Sequence, residues 1–153
     1  ATEARRSVDL EVIVVIAAAF GLAAAMQSSG LAQTIADALT GAFDGWGDRG
    51  VLLGIILATT LLTELVTNNA AALLMLPIGL SAAVSTGLNP VGVGIAIAVA
   101  ASASYLTPIG YQTNTMVYGP GGYRFGDYAR LGAPLTVVMV ATAVFLIPIV
   151  WPA

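Results

Sequence analysis

Cysteine and histidine are both absent from this chain. Disulfide frameworks, thiolate or imidazole metal sites, and Ser-His or Cys-His nucleophilic catalysis therefore have no residues to use. Lysine is missing too, which removes a Ser-Lys hydrolase; all 5 basic residues are arginine. Charge of either sign is scarce, at 8% of 153 residues, where an ordinary soluble domain carries about 25%. With 58% hydrophobic residues and a mean hydropathy of +0.93, too few charges remain to cover a water-facing surface. The composition points into a bilayer. A net charge of -3 offers no basic patch to a nucleic-acid partner. The polar opening Ala1-Thr2-Glu3-Ala4-Arg5-Arg6 is not a signal peptide's charged start and short apolar core. The chain is expected to be a piece of something longer.

What the chain does have is a series of apolar runs. Leu10 to Met26 meets the stop Gln27-Ser28-Ser29-Gly30, which predicts a membrane-spanning helix over 10–28, since about 20 residues cross a hydrocarbon core of about 30 Å. Gly21, set among alanines, predicts a small-residue surface for close helix contact. In 31–43, Leu31, Ile35, Leu39 and Phe43 recur every fourth residue, as in a short amphipathic helix lying at the interface. Asp44 to Gly50 reads as a turn-rich loop carrying Trp46 as an interfacial anchor.

Val51 to Val66 and Ala70 to Val84 flank the polar triplet Thr67-Asn68-Asn69, predicting a helical hairpin over 51–84 with its tip at 67–69. Segment 91–118 reads as one transmembrane helix broken at 107–114, where Pro108 removes a backbone donor and clashes with the preceding turn. Gly119-Pro120-Gly121-Gly122 lacks the Gly-Lys-Ser/Thr of a phosphate loop and reads as a turn. Tyr123 to Arg130 follows as a surface loop and 131–151 as the final span. The predicted fold class is all-α, a polytopic membrane helical bundle with a re-entrant hairpin and a discontinuous transmembrane helix. Arg5, Arg6, Arg124 and Arg130 mark cytoplasmic flanks. The hairpin then enters and leaves on one side, the alternative being two full crossings joined at 67–69.

Irregular backbone at membrane depth leaves amide and carbonyl groups that cost several kcal/mol each unless protein or a water-filled cavity satisfies them. Both interruptions are rich in Thr, Asn and Gln. One reading makes them surface loops. The other makes them a binding site, in which helix N-termini face an anion and carbonyl ends face a cation such as Na⁺. Glu64 is the one ionisable side chain deep in an apolar run, either a cation ligand, a proton carrier or a support for the hairpin tip. Ser28, Ser29, Ser102 and Ser104 read as packing or capping serines.

At these motifs the chain resembles the divalent-anion:sodium symporter family. The resemblance rests on Thr63-Glu64-Leu65-Val66-Thr67-Asn68-Asn69-Ala70 followed by Leu76-Pro77, then Val99-Ala100-Ala101-Ser102, Pro108-Ile109-Gly110-Tyr111-Gln112-Thr113-Asn114 and Val117-Tyr118-Gly119, in order over residues 10–150. It implies one half of an inverted-repeat transporter rather than an enzyme. It places Thr67, Asn68, Asn69, Tyr111, Thr113 and Asn114 against substrate, and Thr63, Val66, Asn68, Gly110 and Gln112 around Na⁺ as coupling ion, with no organic cofactor. Asn69 stands where the family has Thr, and Gln112-Thr113 where it has Pro-Pro, so a dicarboxylate preference does not transfer and sulfate is favoured. The expected function is Na⁺-coupled symport of a small divalent anion by alternating access. It would operate in a bacterial inner membrane, with a missing N-terminal repeat or partner chain and a homodimeric full-length protein. The alternatives are a channel or proton-coupled exporter using Glu64, or a structural membrane subunit.

Overall fold

The computed structural model describes residues 10–153; the Arg5-Arg6 flank lies outside them. Its helices are α1 (Leu10–Ser28), α2 (Leu31–Phe43), α3 (Gly47–Thr63), α4 (Asn68–Thr86), α5 (Pro90–Ala101), α6 (Gln112–Tyr118) and α7 (Phe125–Val150), with a 3-10 turn at Asp44–Trp46. Among the described residues every element is helical, as the composition predicted.

The turns follow from local chemistry. Gly30 at φ 76° and Gly87 at φ 80° take the left-handed conformation that lets α1 and α4 stop. Asn89 caps α5 by accepting the Val91 and Gly92 N–H groups, and Pro90 sits at the first helical position, where its missing donor costs nothing. The core joins Leu52, Ile55 and Ile56 of α3, Met75 and Ile78 of α4, Val93 and Ile97 of α5, and Val140 and Ile147 of α7. Large apolar side chains also face outward, among them Phe20, Leu131, Val137 and Ile149. In water that surface would be a liability; against lipid or neighbouring helices it is at home. Asn68–Thr86 and Phe125–Val150 are long and apolar enough to cross a membrane.

Two hydrogen bonds set the directions. Thr63 Oγ1 donates to the Ala101 carbonyl, joining the C-terminal ends of α3 and α5, and Asn89 Nδ2 donates to the Pro152 carbonyl, joining the start of α5 to the end of α7. So α3 and α5 run together and α7 runs against them. Further along α7, Gly132 closes on the Tyr105 carbonyl, where a Cβ would overlap the oxygen. The interruption after α5 therefore lies alongside the body of α7, and α6 continues past it toward Tyr128.

Several local expectations change. Tyr123 to Arg130 is not a loop throughout: from Phe125 it is the first turns of α7, because Asp127 Oδ2 accepts the Arg124 N–H at 2.7 Å and places an acid in the first turn. Gly47 to Gly50 likewise belongs to α3, drawn in by Gly50, whose missing side chain lets it pack against Trp46 and the Phe43 carbonyl. The buried face of α2 centres on Ala32 and Ala36, with Ile35 and Leu39 flanking and Leu31 exposed, because small residues let α2 sit close on the core. Among the described residues nothing lies within 4 Å of where a Gly21 side chain would begin.

Gly132→Ala must push the Tyr105 backbone aside and should cost about 1–3 kcal/mol. Gly94→Ala, in α5 with nothing within 4 Å, should be neutral or slightly stabilising. Thermal midpoints of the two purified variants in detergent check this, with only Gly132→Ala falling below the parent.

Candidate functional site

The hairpin tip is short because α3 gives way at Glu64: the Leu65 and Val66 N–H groups both fall back on the Leu62 carbonyl. Thr67 turns extended, at φ -68° and ψ 151°, and caps α4 by accepting the Ala70 N–H at 3.3 Å. Asn68 and Asn69 are thus the first residues of α4 rather than part of a loop. The first intrahelical bond of α4 runs from Ala71 N–H to the Thr67 carbonyl, so the Asn68 and Asn69 amides are not spent on the helix. Together with the helix dipole they favour negative charge.

The second interruption spans residues 102–111, beginning and ending earlier than the expected 107–114. Its backbone is taken by other partners. The Leu106 N–H goes to Glu64 Oε1 at 2.9 Å, and Tyr105 is pressed against Gly132. Side chains then hold the segment together. Thr107 Oγ1 donates to Glu64 Oε2 at 2.7 Å and accepts the Gly110 N–H at 3.0 Å. Asn114 Nδ2 donates to the Ser104 carbonyl at 2.9 Å and the Thr107 carbonyl at 3.1 Å, while Thr115 Oγ1 donates to the Pro108 carbonyl at 2.8 Å.

Tip and break meet at Glu64, which is 6% exposed with each carboxylate oxygen accepting from the break. They meet again at Thr63, whose hydroxyl lies 2.6 Å from the Ala101 carbonyl and 2.9 Å from Asn68 Oδ1. A threonine has one proton, so it donates to Ala101; the Asn68 contact is then satisfied with the amide turned to present its NH₂ to the hydroxyl. Gly110 is required here, because a Cβ would overlap Ser104 Oγ and stand 2.7 Å from Glu64 Oε2.

Among the expected site residues, Thr63, Glu64 and Gly110 are buried, Asn68 and Asn114 are half-buried, and Val66, Thr67, Asn69, Tyr111, Gln112 and Thr113 are exposed. Gln112, Thr113 and Asn114 open α6 instead of lying in the irregular stretch. Asn114 has both amide protons committed to backbone carbonyls, leaving only an acceptor oxygen free. Two residues matter more than the sequence suggested. Thr107 bridges Glu64 and Gly110, and Ser104, 4% exposed, buries a hydroxyl that has no partner among the described residues. The signal for Thr107 was its place before Pro108; nothing in the sequence separated Ser104 from the neighbouring serines.

Comparison with known proteins adds a family. A family model described as citrate transporter matches residues 1–152. An uncharacterized transporter of Synechocystis sp. is 47% identical over 141 residues, 92% of this chain and 23% of that protein. Sodium/sulfate cotransporter 1 of Chlamydomonas reinhardtii is 39% identical over 148 residues, 96% of this chain and 17% of its own length. Solute carrier family 13 member 2 of Mus musculus is 30% identical over 131 residues, 86% and 22% of the two chains. The chain thus spans less than a quarter of each of these three relatives.

Glu64→Leu strands the Leu106 N–H and the Thr107 hydroxyl, both half-buried, at up to about 1–3 kcal/mol for each group left unpaired. Glu64→Gln keeps one acceptor oxygen and should lose less. Thermal midpoints and the exchange rate of the Leu106 amide read the difference; equal behaviour of the two variants would show that the carboxylate does not hold the break.

Proposed function

The chain belongs to the citrate transporter family, and from that premise we propose that it is one repeat of a secondary active transporter carrying a small divalent anion together with Na⁺. The observation that carries the reading is the meeting of two helix interruptions at one buried carboxylate, with neutral polar side chains exposed beside it. A bilayer protein tolerates such irregular backbone where it lines a solute site.

The anion is taken at the start of α4, by the Asn68 and Asn69 amides and the side chains of Thr67, Asn68 and Asn69, with Tyr111 and Thr113 contributing from the other side. Asn114 serves that site by shaping the backbone, since its two protons are already committed. Na⁺ sits among the oxygens around Thr63, Val66, Asn68, Gly110 and Gln112, and the unpartnered Ser104 hydroxyl is a further oxygen of the kind a hard cation uses. Glu64 acts as the brace that joins tip to break, because both its oxygens are occupied.

Sulfate is favoured over citrate or dicarboxylates, in line with relatives named sodium/sulfate cotransporters. A second, inverted repeat completes the site, and the hairpin moves against a fixed scaffold in alternating access. We place the full protein in a bacterial inner membrane as a homodimer, with the re-entrant hairpin reaching the site.

The test is uptake of labelled sulfate by the full-length protein in proteoliposomes under an inward Na⁺ gradient, with citrate and succinate as competitors. Asn68→Ala and Asn69→Ala should each lower uptake roughly 10- to 100-fold, the worth of a hydrogen bond to a charged group. Uptake that ignores both Na⁺ and the two substitutions would sink the reading.

A further inference from the structure

Tyr128 closes the first turn of α7, outside every residue given above to the anion or to Na⁺. Its hydroxyl donates to the Asn114 carbonyl at 2.8 Å. Its ring is held edge-on to Tyr123, with centroids 5.8 Å apart at 73°, and 6.2 Å from Tyr118. That packing aims the hydroxyl at α6 and restricts the ring's freedom to turn away.

The contact is the first of a connected series. Asn114 passes it on through both amide protons to the Ser104 and Thr107 carbonyls, and Thr107 donates to Glu64 at the hairpin tip. α7 thus holds the break at Gly132, against the Tyr105 carbonyl, and the start of α6 at Tyr128, on Asn114. A cavity of about 280 Å³, lined by Tyr105, Asn114, Asp127, Tyr128 and Gly132 among others, lies at the same junction. No other helix among the described residues packs closely along α6, so its place depends on the side-chain contacts at its two ends.

We propose that Tyr128 is a positioning residue: it sets where α6 sits against α7, and through Asn114 the spacing between break and hairpin tip, while touching neither solute. The proposal rests on the transport reading above, in that the site positioned is the one assigned there. Removing the hydroxyl while keeping the ring should loosen both solute sites together.

The natural absence of cysteine from this chain allows a readout that does not depend on transport. In a cysteine-free full-length protein, Ala103→Cys is introduced in the break, where Ala103 is 1% exposed, and its labelling by a maleimide is timed in membranes without substrate. Tyr128→Phe should speed that labelling about threefold or more, whereas Tyr118→Phe, which trims a neighbouring ring of the cluster, should not. Without the added cysteine, Tyr128→Phe should raise the KM for both sulfate and Na⁺ several-fold while Vmax changes less than about twofold, a loss of binding rather than turnover. Unchanged labelling in Tyr128→Phe overturns the proposal whether or not sulfate is carried. A fall in Vmax alone, with KM unmoved, also overturns it. A parent that takes up no anion overturns the transport reading instead, and the labelling rates then decide this one.

Discussion

A buried carboxylate is costly in an apolar setting unless every lone pair it turns inward meets a donor, and the organisation around Glu64 follows from that requirement. The end of α3 cannot satisfy it alone. The donors come from the Leu106 N–H and the Thr107 hydroxyl, some forty positions later in the chain. For those groups to be available, the helix begun at Pro90 has to stop, and it does so at Ala101. The interruption is therefore part of the same device as the hairpin. Each leaves polar groups that the other satisfies, and Gly110 has no side chain because one would intrude between Ser104 and Glu64.

Around this centre, small residues decide how near the helices come. Gly132 lets α7 reach the Tyr105 carbonyl, Ala32 and Ala36 seat α2, and Gly54 accepts the ring of Phe43. Between bilayer-exposed helices there is little hydrophobic force to gain by association, so close backbone approach and interhelical hydrogen bonds carry the packing. α7 benefits most. It meets the break at Gly132 and reaches the start of α6 through the Tyr128 side chain.

The same accounting separates the polar side chains by role. Thr63, Glu64, Thr107 and Asn114 spend their hydrogen-bonding capacity inside the protein. Thr67, Asn69, Gln112 and Thr113 are exposed. The proposed transport site calls for both kinds: groups that keep irregular backbone satisfied in the absence of solute, and groups that can replace a solute's water. Residue type does not distinguish them, since Asn114 and Asn69 have the same side chain and opposite dispositions.

Much was determined by the amino-acid sequence alone. Scarce charge and long apolar runs required helices in an apolar surrounding, because backbone groups there must pair within their own segment. Pro108 and the Thr-Asn-Asn triplet marked where those helices had to yield, and the motif order carried the family, which the citrate transporter match and the relatives bear out. Which polar group answers which was left to the packing of the helices. The break opens at Ser102 and not at Thr107 because Leu106 finds Glu64, α7 begins at Phe125 because Asp127 closes its first turn, and the Ser104 hydroxyl has no partner among the described residues. Periodicity reports which residues avoid water. The pairing of a donor with an acceptor forty residues away depends on how helices are placed side by side, and no local pattern encodes that.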